Sequence, residues 1–224
     1  VEFGKACGWD HTHITREGPF AVADPGITFI LMRADRDLRF LAEVLKKHAA
    51  VREIDGWLQH ARMAARYLWN DDIGAYTARD LRTGEKADGV SSVAFLSYYA
   101  GIASSRRDAK LQRTLDRILD SSPFGIPSFD PAHPKFDSRR YWRGPSWAII
   151  NYLVARGLAE FGFERKAERI RMMTRDAIKL SGFSEYFDPI TGAGYGGKRF
   201  TWTAAIWLAW ASPKTDPIAE KTVA

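Results

Sequence analysis

Apolar side chains recur at helical spacing along most of the 224-residue chain, and strand-like alternation occurs only around Tyr76 to Leu81. The pattern predicts an all-α fold of about seven helices with one small β-hairpin. The predicted helices span Asp24 to Lys47, Val51 to Trp69, Val90 to Ile102, Arg106 to Asp120, Pro145 to Phe161, Glu164 to Leu180, and Thr201 to Ala211. Asp24 is a suitable N-cap before Pro25, and Pro145 suits the first turn of the fifth helix.

The predicted helices are of two kinds. The third, fifth and seventh are apolar around most of their circumference, so we expect each to be enclosed on most sides. The fourth and sixth are amphipathic. In the sixth, Ala167, Ile170 and Thr174 share one stripe while Lys166 and Arg169 face away from it. The alternation predicts an inner layer and an outer layer of helices.

The connections follow the same alternation. The links that leave an inner helix are short, whereas the links that enter one are long and rich in glycine and aromatic residues. The long links span Asn70 to Gly89, Ser121 to Gly144, and Ser181 to Phe200. If successive helices are antiparallel, all three emerge on one rim, which the segment Val1 to Ala23 joins. Long loops in compact domains are usually functional, so this rim is the predicted active surface.

Helical hairpins in two layers, without a residue-level repeat, favour an α/α toroid over an open repeat array. Seven helices are fewer than the twelve of a six-hairpin toroid. We therefore expect a partial toroid whose inner helices have apolar edges, which self-association or a partner chain would cover. Residues 1–212 are predicted to form this domain, and residues 213–224 a polar tail.

Composition narrows the function classes. With 46% apolar and 27% charged residues the chain is not disordered, and its single cysteine excludes a disulfide scaffold. The excess of 33 basic over 27 acidic residues gives a net charge of +6, but the charges are interspersed and no recognition motif accompanies them. We expect no nucleic-acid partner, no membrane partner, and a cytoplasmic location. His11 and His13 lack a grouped third ligand, so no metal or cofactor is expected.

Two acidic residues in the long loops are candidates for catalysis. Glu185 lies among aromatic residues in Gly182-Phe183-Ser184-Glu185-Tyr186-Phe187-Asp188-Pro189, where desolvation can raise a pKa. The alternative is a surface glutamate beside an Asp-Pro turn. Asp10 follows Trp9, and its alternative is a turn-capping role through Thr12.

The third candidate is the segment Tyr141-Trp142-Arg143-Gly144-Pro145-Ser146-Trp147. An aromatic plane beside a guanidinium offers a stacking face and hydrogen-bond donors for hydroxyl groups or a carboxylate. In the alternative, Arg143 forms a structural ion pair, and Trp142 and Trp147 belong to the core. Two carboxylates on one rim suit glycoside hydrolysis, in which one carboxyl protonates the leaving oxygen and the other activates water.

Four motifs in fixed order resemble the C-terminal half of the catalytic domain of glycoside hydrolase family 63. They are Tyr141 to Trp147, Asn151-Tyr152-Leu153, Gly182 to Pro189, and Phe200-Thr201-Trp202-Thr203-Ala204-Ala205. The resemblance implies a six-hairpin toroid and an inverting α-glycosidase. It further implies a small carbohydrate substrate, an α-glucoside or α-mannoside such as glucosylglycerate or mannosylglycerate.

The resemblance also implies roles for individual residues. Glu185 corresponds to the general base and Asp10 to the general acid, and inverting pairs lie about 6.5 to 9.5 Å apart. The expected substrate-binding residues are Trp9, Trp142, Arg143, Gly144, Tyr186 and Trp202. Two alternatives stay open: a non-catalytic half-barrel that binds carbohydrate or a partner chain, and a trehalase-type hydrolase.

Overall fold

The computed structural model describes residues 2–102 and 105–215, which form nine α-helices and six short strands. The helices are α1 (Glu2–Ala6), α2 (His11–Glu17), α3 (Pro25–Val44), α4 (His48–Ala65), α5 (Leu96–Tyr99), α6 (Ser105–Ser121), α7 (Ala148–Glu160), α8 (Glu164–Ser181) and α9 (Thr201–Ile206). The strands are β1 (Val22–Ala23), β2 (Trp69–Asn70), β3 (Ala75–Tyr76), β4 (Arg79–Asp80), β5 (Ser184–Phe187) and β6 (Gly194–Lys198).

The helices pack in two layers. The inner layer consists of α3, α5, α7 and α9, in which each helix contacts the next one along the chain. In the outer layer α4 packs on α3 and α8 packs on α7, while Lys166 of α8 forms an ion pair with Asp116 of α6 at 2.6 Å. This arrangement confirms the predicted alternation. The core between the layers includes Phe29, Phe95 and Leu158, all fully buried.

The element count differs from the prediction. Nine helices replace seven because α1 and α2 form inside the segment that was predicted to be a loop. Three antiparallel strand pairs, β1–β4, β2–β3 and β5–β6, replace the single hairpin. Each of these elements is too short to produce a recognisable period in the sequence.

Two predicted helices are shorter than expected. The third begins as a 3-10 turn at Ser92–Phe95, because Ser91 is extended and pairs with Phe129, and it ends before Gly101 at φ 77°. The fifth begins at Ala148 rather than at Pro145. Ser146 exchanges backbone hydrogen bonds with Phe187, which holds the chain before α7 in an extended conformation.

The seventh predicted helix also changes character along its length. After α9 the chain continues as a π-helical turn over Trp207–Ala211. The guanidinium of Arg175 in α8 donates to the carbonyl oxygens of Ala211 at 2.6 Å and Ser212 at 3.1 Å. A buried cation on the terminal carbonyl groups stabilises this helix end.

The long loops meet on one rim, as predicted. Isolated backbone bridges join Ser91 to Phe129, Pro127 to Ser146, and Ser146 to Phe187. The pairing of β1 with β4 attaches the N-terminal segment to the first long loop. Together, these pairings connect the segments that precede the four inner helices α3, α5, α7 and α9.

The inner layer has two edges. The helices α5 and α7 have inner neighbours on both sides, whereas α3 and α9 are the first and last of the row. Leu208, in the turn after α9, is 74% exposed, so the expectation that the seventh helix is enclosed on most sides is wrong. No helix in the described ranges is both long and apolar enough to cross a bilayer. Of the predicted tail, residues 216–224 lie outside the described residues.

Candidate active site

Glu185 lies on β5 at an irregularity in its pairing with β6. Ser184 pairs with Lys198 and Tyr186 with Tyr195, so β6 has one extra residue opposite the glutamate. Gly196 in this bulge adopts φ 70°, a conformation that glycine tolerates without steric cost. A Cβ atom at Gly196 would lie 2.5 Å from Oε2 of Glu185. The bulge therefore allows the backbone to approach the carboxylate.

Both oxygen atoms of the Glu185 carboxylate accept hydrogen bonds. The backbone N–H of Gly197 donates to Oε2 at 3.0 Å, and the hydroxyl of Tyr141 donates to Oε1 at 2.7 Å. These two bonds, the Gly197 bond first, lower the pKa of Glu185 below its ordinary value. The expectation that aromatic neighbours raise this pKa is wrong, because the carboxylate is too exposed for desolvation to dominate.

Tyr141 is held in place by its own loop. Its backbone adopts φ 29°, which is strained for a residue with a side chain, and its carbonyl accepts a bond from the indole Nε1 of Trp147 at 3.1 Å. Its ring packs edge-on against Trp142, Trp147 and Tyr186, with centroids 5.0 to 6.0 Å apart. The hydrogen bond to Glu185 raises the pKa of the Tyr141 hydroxyl.

The expected sugar-contacting loop has an exposed and a buried part. Trp142 is 50% exposed and stacks on the buried Trp147 with ring centroids 4.3 Å apart and planes 8° apart. Only glycine fits at position 144, because a Cβ atom there would lie 2.0 Å from the carbonyl oxygen of Asp137. The core alternative therefore holds for Trp147, while the Trp142 ring is half-exposed to solvent.

Arg143 lies between Trp142 and Gly144 in the sequence. Its Nε atom is buried without a hydrogen-bond partner, and its guanidinium makes no ion pair with any residue in the described ranges. The structural ion pair considered for Arg143 is therefore not found there. A buried donor without a partner is costly, and a ligand oxygen would satisfy it.

Tyr186 and Trp202 have different environments. Tyr186 is half-buried among aromatic rings and lies 5.2 Å from Trp147 and 6.3 Å from Tyr195 between centroids. Trp202 is 58% exposed and touches Phe200. Tyr186 therefore packs beside the Tyr141 that binds the base candidate, whereas Trp202 offers an open surface at the start of α9.

Asp10 lies at the start of α2 in the N-terminal segment. Its Oδ1 atom accepts bonds from the backbone N–H groups of Thr12 at 2.8 Å and His13 at 3.3 Å, so it is the N-cap of α2. The adjacent Trp9 adopts φ 61°, and its exposed ring lies over Gly4 of α1. The capping role that the sequence offered as an alternative is thus present, and these contacts of Asp10 lie within its own segment.

The structure also tests the histidine pair. His13 stacks on Phe3 with ring centroids 5.6 Å apart, and its Nε2 lies 3.6 Å from Glu17. Among the described residues, no group of three or more histidine, cysteine, aspartate or glutamate side chains has the arrangement of a metal site.

The partners of Glu185 were missed by sequence reasoning. Tyr141 lies 44 residues before Glu185 and Gly197 lies 12 residues after it. Tyr141 precedes the predicted Trp142, and Gly197 follows Gly196 in the third long loop, so both residues lie in segments that the sequence predicted to be functional.

The Glu185 carboxylate has further hydrogen-bonding capacity. Because each carboxylate oxygen can accept a second bond, Glu185 can still receive a proton from water.

Comparison with known proteins identifies what the chain is similar to. Residues 1–203 match the family described as the mannosylglycerate hydrolase MGH1-like glycoside hydrolase domain. The chain is 39% identical over 206 residues to mannosylglycerate hydrolase MGH1 of Selaginella moellendorffii and 37% identical over 202 residues to mannosylglycerate hydrolase of Thermus thermophilus. These matches cover 92% and 90% of the chain but only 42% and 48% of the two relatives.

A solved structure agrees with the sequence matches. The GH63 mannosylglycerate hydrolase from Thermus thermophilus, crystallised in complex with glucose, superimposes with a TM-score of 0.85 at 35% identity. The match covers 92% of the chain and 53% of that structure. The chain therefore spans about half of a six-hairpin domain.

Proposed function

Because the chain belongs to the MGH1-like glycoside hydrolase family, we propose that it takes part in hydrolysis of an α-linked glycoside by an inverting mechanism. The preferred substrates are mannosylglycerate and glucosylglycerate. The proposal covers the complete domain, since the chain spans less than half the length of the curated relatives it matches.

The hydrogen bonding of Glu185 carries the proposal. A general base must be ionised before the reaction, and the donors Gly197 and Tyr141 both stabilise the ionised carboxylate. A general acid needs the opposite environment, in which the proton is retained. The surroundings of Glu185 therefore suit activation of water rather than protonation of the leaving oxygen.

Asp10 is proposed as the general acid. Asp10 precedes the first inner helix, α3, and Glu185 precedes the last, α9, so in a closed ring the two would face each other across the hollow. Asp10 is exposed and lines a cleft of about 260 Å³ together with four residues of its own segment. The acid role therefore requires that the rest of the domain shield Asp10 from water.

The aromatic and basic residues between the two carboxylates suit the sugar. The half-exposed Trp142 ring stacks on the buried Trp147, and the buried Nε of Arg143 lacks a partner. Stacking against a pyranose ring and donation to its hydroxyl groups would use both features. Trp9 and Trp202 supply exposed aromatic surface farther along the rim.

The test is product stereochemistry. The wild-type chain, alone and combined with the matching remainder of the Thermus thermophilus relative, is incubated with mannosylglycerate, glucosylglycerate and trehalose. Proton NMR then identifies the anomer released first, which we expect to be inverted. We expect Glu185→Gln to lower turnover by about 10²- to 10⁴-fold, and the exposed Glu53→Gln to leave it unchanged.

Two results would contradict the proposal. Equal turnover by wild type and Glu185→Gln would remove Glu185 from the reaction, and release of the retained anomer would exclude the inverting mechanism. Absence of turnover of all three glycosides in both preparations would contradict the hydrolytic function. Turnover of trehalose alone would favour the trehalase-type alternative.

A further inference from the structure

The loop that carries Tyr141 is attached to the β5–β6 hairpin through a buried carboxylate. The Ser138 hydroxyl donates to Oδ2 of Asp188 at 2.8 Å. Ser138 precedes Tyr141 by three positions, and Asp188 follows Glu185 by three positions. The contact therefore joins the two segments close to the point where Tyr141 donates to Glu185. We call residues 138–146 the Tyr141 loop.

The two oxygen atoms of Asp188 have separate partners. The side chain is 4% exposed, and a buried carboxylate is stable when its oxygen atoms accept hydrogen bonds. Oδ1 accepts the backbone N–H groups of Ile190 at 2.8 Å and Thr191 at 3.1 Å, which shapes the turn of the hairpin. Oδ2 accepts the Ser138 hydroxyl. Removing that hydroxyl would therefore release the Tyr141 loop and leave the turn contacts in place.

The other end of the Tyr141 loop is held by different contacts. Ser146 exchanges backbone hydrogen bonds of 2.8 and 2.9 Å with Phe187. The Ser146 hydroxyl oxygen accepts a bond from Nδ2 of the buried Asn151 at 2.9 Å. The Asn151 amide also donates to the hydroxyl of Thr174 and accepts the backbone N–H of Ile126, both at 3.1 Å. None of these contacts involves Ser138, so this end should stay fixed when the Ser138 bond is lost.

The middle of the Tyr141 loop is strained. Tyr141 adopts φ 29°, and such a conformation persists when the surrounding structure fixes it. The backbone N–H of Arg143 donates to the carbonyl of Arg140 at 2.6 Å, and that of Asp137 donates to the carbonyl of Arg143 at 2.9 Å. These two bonds close the turn on itself but do not connect it to the hairpin. A loop released at one end could relax the Tyr141 backbone and withdraw the hydroxyl from Glu185.

We propose that Ser138 and Asp188 are positioning residues for Glu185, because their contact keeps the Tyr141 hydroxyl on the carboxylate. The catalytic part of this inference rests on the proposed function of Glu185 as the general base, whereas the geometric part does not. A merely structural contact would behave differently. Its loss would lower the stability of the chain without changing the ionisation of Glu185.

Ser138→Ala tests the inference on the chain itself. A ¹³C NMR titration of the glutamate carboxyl groups, with Glu185→Gln to identify the resonance, measures the pKa of Glu185 without requiring turnover. Because the Tyr141 bond lowers this pKa, Ser138→Ala should raise it, by no more than Tyr141→Phe does. Ser138→Thr keeps a hydroxyl and should titrate like wild type. So should the control Ser121→Ala, which removes a hydroxyl that donates to the Ile118 carbonyl at 3.0 Å.

A double-mutant cycle shows whether Ser138 acts through Tyr141. In the Tyr141→Phe background, Ser138→Ala should leave the Glu185 titration unchanged, because the contact that it disturbs is already absent. Equal shifts in the two backgrounds would overturn the inference. An unchanged titration in Ser138→Ala alone would also overturn it, and urea unfolding of each variant confirms that the titrated chain is folded.

Turnover separates this inference from the proposed function. In a preparation that hydrolyses mannosylglycerate or glucosylglycerate, Ser138→Ala should move the acid limb of the pH–rate profile to higher pH, and Ser121→Ala should not. A shifted titration without turnover in any preparation would contradict the proposed function but support the positioning role. Turnover with an unshifted titration in Ser138→Ala would support the proposed function and overturn the positioning role.

Discussion

The hydroxyl of Tyr141 donates a 2.7 Å hydrogen bond to Oε1 of Glu185, so two long loops of the rim meet at one carboxylate. Tyr141 comes from the loop before α7 and Glu185 from the hairpin before α9. The bond stabilises the charged form of the glutamate and the neutral form of the tyrosine, which lowers the pKa of Glu185 and raises that of Tyr141. The Gly197 bond makes the larger contribution to the lowered pKa of Glu185, and the loop before α7 adds the Tyr141 bond to it.

Tyr141→Phe should raise the pKa of Glu185 toward its ordinary value. The substitution removes one of the two donors, while the Gly197 bond stays in place. Because a base acts in its ionised form, the acid limb of the pH–rate profile should move to higher pH. The measurement is a ¹³C NMR titration of the glutamate carboxyl groups, in which Glu185→Gln identifies the resonance. Tyr195→Phe removes a nearby hydroxyl that does not contact Glu185 and is the control. An unchanged titration in Tyr141→Phe would contradict the assignment.

Gly196→Ala should displace the Glu185 carboxylate as well as destabilise the chain. Its φ of 70° costs an alanine about 1 to 2 kcal/mol, and the added Cβ would lie 2.5 Å from Oε2. Gly162→Ala is the matched control, since Gly162 has φ 78° but open space around the added atom. Urea unfolding should show similar losses of stability for both variants. Only Gly196→Ala should alter the Glu185 titration, and identical titrations would show that the bulge does not position the carboxylate.

Helix periodicity was sufficient to predict most of the fold. The start of α8 at Glu164 and the capping of α3 by Asp24 were predicted correctly, because long periodic segments and N-cap residues are local signals. The short α2 was missed since seven residues cover fewer than two turns. The start of α7 was misplaced because Ser146 pairs with Phe187, a contact 41 positions away that no local signal reveals.

The candidate site was predicted less completely than the fold. The sequence identified Glu185 and the aromatic loop, but it gave the wrong direction for the pKa of the glutamate. Phe183 and Phe187 are neighbours of Glu185 in sequence, whereas the carboxylate contacts Tyr141 and Gly197, which tertiary structure supplies. Residue type alone therefore indicated a candidate loop, whereas the direction of the pKa shift of Glu185 required the geometry.

Trp142→Ala should weaken sugar binding without unfolding the chain. The ring is half-exposed and rests on Trp147, so its removal takes away stacking surface but leaves the core residue in place. We expect affinity for mannosylglycerate to fall about fivefold to tenfold in the non-hydrolysing Glu185→Gln background, measured by isothermal titration calorimetry. Trp57→Ala removes a tryptophan of similar exposure on the outer helix α4. Trp142→Ala should bind mannosylglycerate more weakly than Trp57→Ala. Equal affinities of the two variants would exclude Trp142 from the sugar site.

Asp130→Asn should make the stability of the chain less sensitive to acid. Burial disfavours the charge on Asp130, but the hydrogen bonds from Arg117, at 2.9 and 2.5 Å, and from the backbone of Ala132 outweigh it and lower the pKa of Asp130. A carboxyl group with a lowered folded-state pKa stabilises the fold above its unfolded pKa of about 3.9. This stabilisation is lost as the pH falls through the folded-state pKa.

The expected cost of Asp130→Asn at pH 7 is about 1 to 2 kcal/mol, because the pair is only partly buried. The difference in unfolding free energy between wild type and variant should shrink as the pH falls below about 4. Urea unfolding at a series of pH values measures it. Asp120→Asn removes the exposed ion pair with Arg169 and should cost less than about 0.5 kcal/mol. The loop that contains Asp130 joins the rim through the hydrogen bond from the Asp130 backbone N–H to the carbonyl oxygen of Val90. A difference between wild type and Asp130→Asn that stays constant across the acid range would show that the charge of Asp130 does not stabilise this loop.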